Sequence, residues 1–118
     1  MGPFPHHAVK SQITPENPAG TDGFAFVEFA HPDPDVLRHL FTQMGYVHTA
    51  THKIRQIELW QQGDITYVLN ADPNSFAARF VEEHGPCAPS MAWRLVDAKH
   101  AYEHAVAHGA KLYTADDK

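Results

Sequence analysis

Ten histidines, one cysteine and a carboxylate set in an apolar strand are the residues of this 118-residue chain whose types could do chemistry. His100, His104 and His108 recur at every fourth position, which puts imidazoles on one helix face, where neighbouring pairs can share a metal ion. They fall away from the apolar positions Ala101, Tyr102, Ala105 and Val106, so the plainer expectation is a solvated stripe, open to fortuitous nickel or zinc. His48 and His52 are also four apart, but an extended strand would separate them by about 13 Å, too far to share one ion. His31 precedes Pro32 at a strand-to-helix corner and reads as a turn residue, while His6 and His7 read as inert. Glu28 could be an acid or base; pairing with an arginine such as Arg94 is the structural alternative and the expectation. Cys87, between Pro86 and Pro89, has no charged neighbour in sequence and reads as a packing residue more than a nucleophile. Phe24, Phe26, Trp60, Tyr67 and Trp93 occupy strand positions and are expected to pack in the core or on a sheet face. No glycine-rich phosphate loop, Ser–His–Asp order or zinc-type Cys/His spacing occurs.

The elements that would position these residues follow a plan used twice. An apolar strand leads to an Asp, a helix follows, and a Gly closes it twelve residues after the Asp, from Asp33 to Gly45 and from Asp97 to Gly109. Residues 1–21 hold four prolines and no periodic apolar face, and read as a loose or draped leader. Phe24 to Phe29 is apolar except at Glu28, as in a strand covered on both faces. Asp33 is placed to cap a helix, with Pro34 in its first turn and Val36, Leu37, Leu40, Phe41 and Met44 as its buried stripe. Three strands are predicted at about 46–51, 56–61 and 65–70, the last two joined by a hairpin at Gln62-Gly63-Asp64. A linking helix over 74–85 turns Phe76, Phe80 and Ala77 inward. A strand at 90–96 and a helix at 98–108, burying Ala98, Ala101, Tyr102, Ala105 and Val106, begin the second copy, and Lys111 to Thr114 reads as one more short strand. The first module therefore spans about 22–71 and the partial second one 88–118, together one domain over 22–118. After Gly45 the strand ending at Asn70 completes in 25 residues, whereas nine residues follow Gly109.

Composition narrows the function classes. A chain of this length is one domain that buries roughly two thirds of its unfolded surface. With 14 acidic against 9 basic residues and no Lys/Arg run, it lacks the footprint of a nucleic-acid or anionic-membrane partner. One cysteine, no signal-peptide pattern and no apolar run of membrane-spanning length point to a cytoplasmic protein.

An α+β fold of paired βαβββ modules is the plan of the vicinal-oxygen-chelate superfamily, and within it the sequence resembles the N-terminal domains of the 4-hydroxyphenylpyruvate dioxygenases. The matching residues begin with Asn17-Pro18, Gly23-Phe24, Phe26-Val27-Glu28, Met44-Gly45-Tyr46 and Gln62-Gly63-Asp64-Ile65. They continue with Leu69-Asn70, Pro73, Ser75, Phe80, His84-Gly85-Pro86, Met91-Ala92-Trp93, Asp97, Ala101-Tyr102 and Gly109-Ala110. The likeness runs over about 17–114; no single piece is diagnostic, and the ordered set is what is specific. It extends to hydroxymandelate synthases and the dioxygenase-like half of fused dehydroshikimate dehydratases.

What the resemblance implies is oxidation of a 2-oxo acid by O2 at a non-haem Fe(II) held by two His and one Glu. The family builds that site in a second, C-terminal domain. Carried onto this module, the two His positions fall on Gly23 and Ser90, and the strand Ile65–Asn70 holds no carboxylate. The implied reading is a scaffold domain with no catalytic, cofactor-binding or metal-binding residues of its own and no activity alone. Its sheet edge would be covered by its own C-terminal domain or by a second subunit in a homo-oligomer. The alternative is a stand-alone, dimeric ligand-binding or resistance-type protein of the same superfamily; a glyoxalase-type metalloenzyme is disfavoured by Gly23 and Ser90.

Overall fold

The computed structural model describes residues 10–114. The order is β1 (Thr21–Ala30), α1 (Pro34–Gln43), β2 (Val47–Thr51), β3 (Ile57–Gln62), β4 (Ile65–Asn70), α2 (Phe76–His84), β5 (Cys87–Leu95) and α3 (Ala98–Ala107). The five strands form one sheet in the order β2-β3-β4-β1-β5. β1 lies parallel to β4, because α1 carries the chain back before the β2–β3–β4 meander returns to its side; every other pairing is antiparallel. The β3–β4 turn spans Gly63-Asp64 with Gln62 facing Ile65, and its first residue, Gly63, sits at φ 57, as a II′ hairpin demands.

The two-fold plan read from the sequence is written into the helix caps. Asp33 accepts a hydrogen bond from the Asp35 amide at the head of α1, and Asp97 accepts one from the His100 amide at the head of α3. At the other ends, the Tyr46 amide reaches Phe41 O and the Gly45 amide reaches Thr42 O, while Ala110 and Gly109 repeat the pattern on Ala105 O and Val106 O. Both are Schellman closures, with Gly45 at φ 94 and Gly109 at φ 98. The linking helix is shorter than its predicted span, with Ser75 as its cap and Gly85 after it.

The core sits where α1 crosses the meander. Phe41, Tyr46, Trp60 and Leu69 are buried together, with Phe29, Leu37 and Tyr67 against them. Tyr46 stacks on Tyr67 at 4.4 Å between ring centroids, and Phe41 meets the edges of Phe29 and Trp60 at 5.6 and 5.8 Å. Trp60 and Tyr67 thus take the packing role expected of them.

Several burial expectations are corrected. On α1 the apolar positions Val36, Leu40 and Met44 are exposed, and Phe41 alone is fully buried. On α3 only Ala101 is buried, with Ala98, Tyr102, Ala105 and Val106 exposed. On α2 Ala77 is buried and Phe80 half-buried, while Phe76 stays 39% exposed. β1 is not covered on both faces: Phe24 is 55% exposed and stacks on Trp93, itself 52% exposed. The physical reason is shared, since periodicity marks which side of an element is apolar, but burial needs a second layer over it. Lys111 to Thr114 forms no strand, although β5 keeps an edge without a partner among the described residues.

Residues 10–20 are tied to the domain. The Ser11 amide donates to Asp22, Asn17 bonds Gln12 O and Thr21, and Val96 N reaches Gly20 O. His6 and His7 lie outside the described residues.

Candidate functional site

Glu28 is the charged residue of β1 that the sequence singles out, and its neighbours are not the expected ones. In a strand, alternate side chains take opposite faces, so Glu28 points away from the aromatic core that Phe29 joins. On that face Asn70, at the end of β4, donates Nδ2 to Glu28 Oε2 at 2.9 Å, and Ser90 of β5 donates Oγ to Glu28 Oε1 at 2.8 Å. The expected pairing with Arg94 is replaced by these two neutral donors, and Arg94 bonds the buried Asp22 at 3.2 Å instead. The reason is register: Ser90 is the direct partner of Glu28 across β1–β5, whereas Arg94 lies further along, near the start of β1.

The three polar groups border a cavity of about 450 Å³, lined also by Phe76 and Ala77 of α2, by Pro89, and by Tyr113 from beyond α3. Cys87 is close enough to feel this carboxylate. Burial, and then the charge of Glu28, push its thiol above the ordinary value, which is the opposite of what a nucleophile needs and fits its packing role. A second hollow, of about 470 Å³, lies at the strand ends between His31, Arg38, Gln56 and Asp72.

Outside α3 the histidines act singly, whereas His104 and His108 on it bring their ring centroids to 4.2 Å. His31 Nδ1 accepts from the Asp33 amide at 2.9 Å, a turn role. His48 stacks on Trp60 at 5.0 Å and bonds Thr51 Oγ1, while His52 Nδ1 accepts from the amides of Ile54 and Arg55. His100 Nε2 meets Pro18 O at 2.8 Å, which ties the leader to α3, and His108 Nδ1 meets His104 O. Among the described residues no three His, Cys, Asp or Glu side chains gather as a metal site would need. The two positions at which the dioxygenase pattern would place imidazoles hold Gly23, at φ 90, and Ser90, whose hydroxyl is committed to Glu28. Neither side chain supplies an imidazole ligand of the kind an Fe(II) facial triad uses.

Sequence reasoning missed a second carboxylate altogether. Glu58 of β3 receives Arg38 Nε and Nη2, the latter at 2.7 Å, and Trp60 Nε1 at 3.0 Å; Arg38 Nη1 also holds Asp35. Burial pushes the Glu58 carboxyl up, but the hydrogen bonds from Arg38 and Trp60 outweigh it and hold the group below the ordinary value. A similar pair, Arg55 Nε with Asp72 Oδ2 at 2.8 Å, fixes the loop before β3 against the start of α2, and Arg55 keeps Asp72 low as well. Twenty residues separate Arg38 from Glu58, so only the crossing of α1 over β3 reveals the pair.

Comparison with known proteins bears on what this arrangement serves. The family described as hydroxyphenylpyruvate dioxygenase, N-terminal, matches residues 15–118. A 4-hydroxyphenylpyruvate dioxygenase of Pseudomonas aeruginosa is 45% identical over 105 residues, covering 86% of this chain and 29% of the relative. A protein named hemolysin VllY from Vibrio vulnificus is 43% identical over 85% of this chain and 29% of its own length. The chain thus spans less than a third of these relatives. Among solved structures, a xylose isomerase-like TIM barrel/4-hydroxyphenylpyruvate dioxygenase fusion protein superposes with a TM-score of 0.73 at 34% identity, over 78% of this chain and 15% of that one. A methylmalonyl-CoA epimerase from Mycobacterium tuberculosis shares the fold, with a TM-score of 0.65 at 19% identity, over 92% of this chain and 73% of that one.

Proposed function

The chain belongs to the family of hydroxyphenylpyruvate dioxygenase N-terminal domains, and from that membership we propose that it is the non-metal-binding half of an Fe(II)-dependent 2-oxo acid oxygenase. The observation that carries the reading is the family match over residues 15–118, together with 45% identity to a dioxygenase of which this chain spans only 29%. The reaction assigned to the whole protein is conversion of 4-hydroxyphenylpyruvate and O2 to homogentisate and CO2, a step of tyrosine breakdown in the cytoplasm. Iron belongs to a second domain of the longer protein. Gly23 and Ser90 support that division, since neither can replace an imidazole ligand.

The role of this half is to scaffold. Its aromatic core supports a sheet that ends in β5, and the far edge of β5 has no partner strand among the described residues. An edge of that length is one that proteins pair or cover, and the cover proposed is the C-terminal domain of the same protein within a homo-oligomer.

The test is made on the purified chain with Fe(II) and 4-hydroxyphenylpyruvate. Oxygen uptake is expected to stay at the level of buffer, with no iron retained through gel filtration. Stoichiometric iron with turnover by these 118 residues alone would overturn the reading. A tight dimer that binds a small ligand without consuming oxygen would move the protein to the stand-alone binding class.

A further inference from the structure

The cavity beside Glu28 has a chemistry that the oxygenase reading leaves unused. Its one charged group among the described residues is a carboxylate whose two oxygens are each fixed by a neutral donor from an adjacent strand, Asn70 on one side and Ser90 on the other. Among the described residues no cation stands within ion-pair distance of Glu28. A carboxylate offers about four acceptor positions, and two are taken, so outward-facing lone pairs stay open to a ligand. The other walls are Phe76, Ala77, Pro89 and Tyr113, which present apolar and aromatic surface. A volume of about 450 Å³ falls within the range of small-molecule sites, about 300–1,000 Å³.

We propose that this cavity binds a small organic cation, an ammonium on an aryl or alkyl body, with the ammonium on Glu28 and the body against Phe76 and Pro89. The charge-assisted N–H···O bond supplies specificity, and the apolar walls take up the hydrocarbon. An organic anion of the same shape, a 2-oxo acid included, meets an unneutralised carboxylate and is rejected. Glu28 and its two donors form a preorganised acceptor, since Ser90 is its register partner on β5 and Asn70 stands two residues past its partner Val68 on β4. The proposal does not depend on the oxygenase reading, because its readout is binding to this chain with no iron and no turnover.

Amide chemical shifts of the full chain are followed during titration with 2-phenylethylammonium and, separately, with 3-phenylpropionate. The amine is expected to give saturable shifts centred on Glu28, Asn70, Phe76 and Ser90, and to bind at least about tenfold more tightly than the acid, as one charged hydrogen bond is worth. Glu28→Gln keeps an amide able to bond both Asn70 and Ser90, and should lose about tenfold in amine affinity while its spectrum stays dispersed. Should that variant fail to fold, Phe76→Lys, at an already exposed position, is expected to weaken the amine and admit the acid. Equal binding of amine and acid, indifference of amine affinity to these substitutions, or no saturable shift by about 10 mM amine, a limit of about −2.7 kcal/mol, would each overturn the proposal.

Discussion

At the scale of single residues the most consequential group is Glu58, with only 13% of its side chain exposed and three donor atoms from two residues aimed at it. Arg38→Ala would leave that carboxylate half-buried beside Trp60 with its charge unmatched. Since Arg38 is itself 36% exposed, a loss of about 1–2 kcal/mol is expected in urea denaturation rather than the larger value of a fully buried pair. The same group shapes the acid limb. Asp22, Glu58 and Asp72 are all held below their ordinary values in the folded chain. Their stabilisation is therefore complete above the unfolded carboxylate range of about 4 and is lost as pH falls through the lower folded values. Melting temperature should drop steeply below pH 4; Glu58→Gln should melt lower at pH 7 and show a smaller drop. At the alkaline end, burial and then the Tyr67 hydroxyl push Tyr46 up to about 12. A hydroxyl kept neutral by the fold stabilises below its ordinary pKa of about 10 and loses that contribution as pH rises toward 12. Tyr46→Phe should flatten the fall in melting temperature between pH 10 and 12, and an unchanged slope would assign the alkaline limb to another group.

At the scale of elements, the two Schellman closures make a matched pair of tests. Gly45 and Gly109 sit at nearly the same positive φ, so an alanine at either carries a backbone cost of about 1 kcal/mol. They differ in surroundings: a Cβ on Gly45 would lie 2.6 Å from Gln62 Nε2, whose amide bonds Met44 O, while one on Gly109 meets open space. Gly45→Ala should therefore destabilise more than Gly109→Ala, by about 1 kcal/mol where the Gln62 hydrogen bond is lost, read from urea midpoints at equal slope. These elements were legible in advance because caps are local chemistry. Asp, then Pro or a helix former, then Gly twelve positions on, names both ends of a helix without any tertiary knowledge. The stripes were less legible. Val36, Leu40 and Met44 keep the period of a buried face, yet α1 rotates Phe41 and Leu37 onto the sheet and leaves the other three outside. The site was least legible of all. Glu28 stood out as a charge in an apolar run, but its partners Asn70 and Ser90 are 42 and 62 residues away and neutral, so no charge pattern points to them.

At the scale of the whole molecule, the radius of gyration is 16.0 Å, against about 13 Å for a compact domain of this length. The excess matches a sheet with few layers over it. Apolar side chains that would close a core in a thicker molecule stand at the surface, Phe24, Met91 and Trp93 on β1 and β5 at 55, 54 and 52% exposure, with Tyr102 and Val106 on α3. Pro89 gives β5 one position without an amide donor, a feature tolerated on an edge strand. The remaining donors and acceptors on its outer side form a template for another strand. Apolar surface, and an edge without a partner among the described residues, on the same strand predict that the chain in isolation self-associates. Gel filtration with light scattering should find a species larger than one chain at concentrations of about 10 μM, where a standard interface is populated. Met91→Lys with Trp93→Lys should return it to a monomer. Because both positions are half exposed, the double variant should lose only about 1 kcal/mol of stability, including the Phe24–Trp93 ring contact. Association that persists unchanged in that variant would move the contact surface away from β5 and onto the exposed stripe of α1.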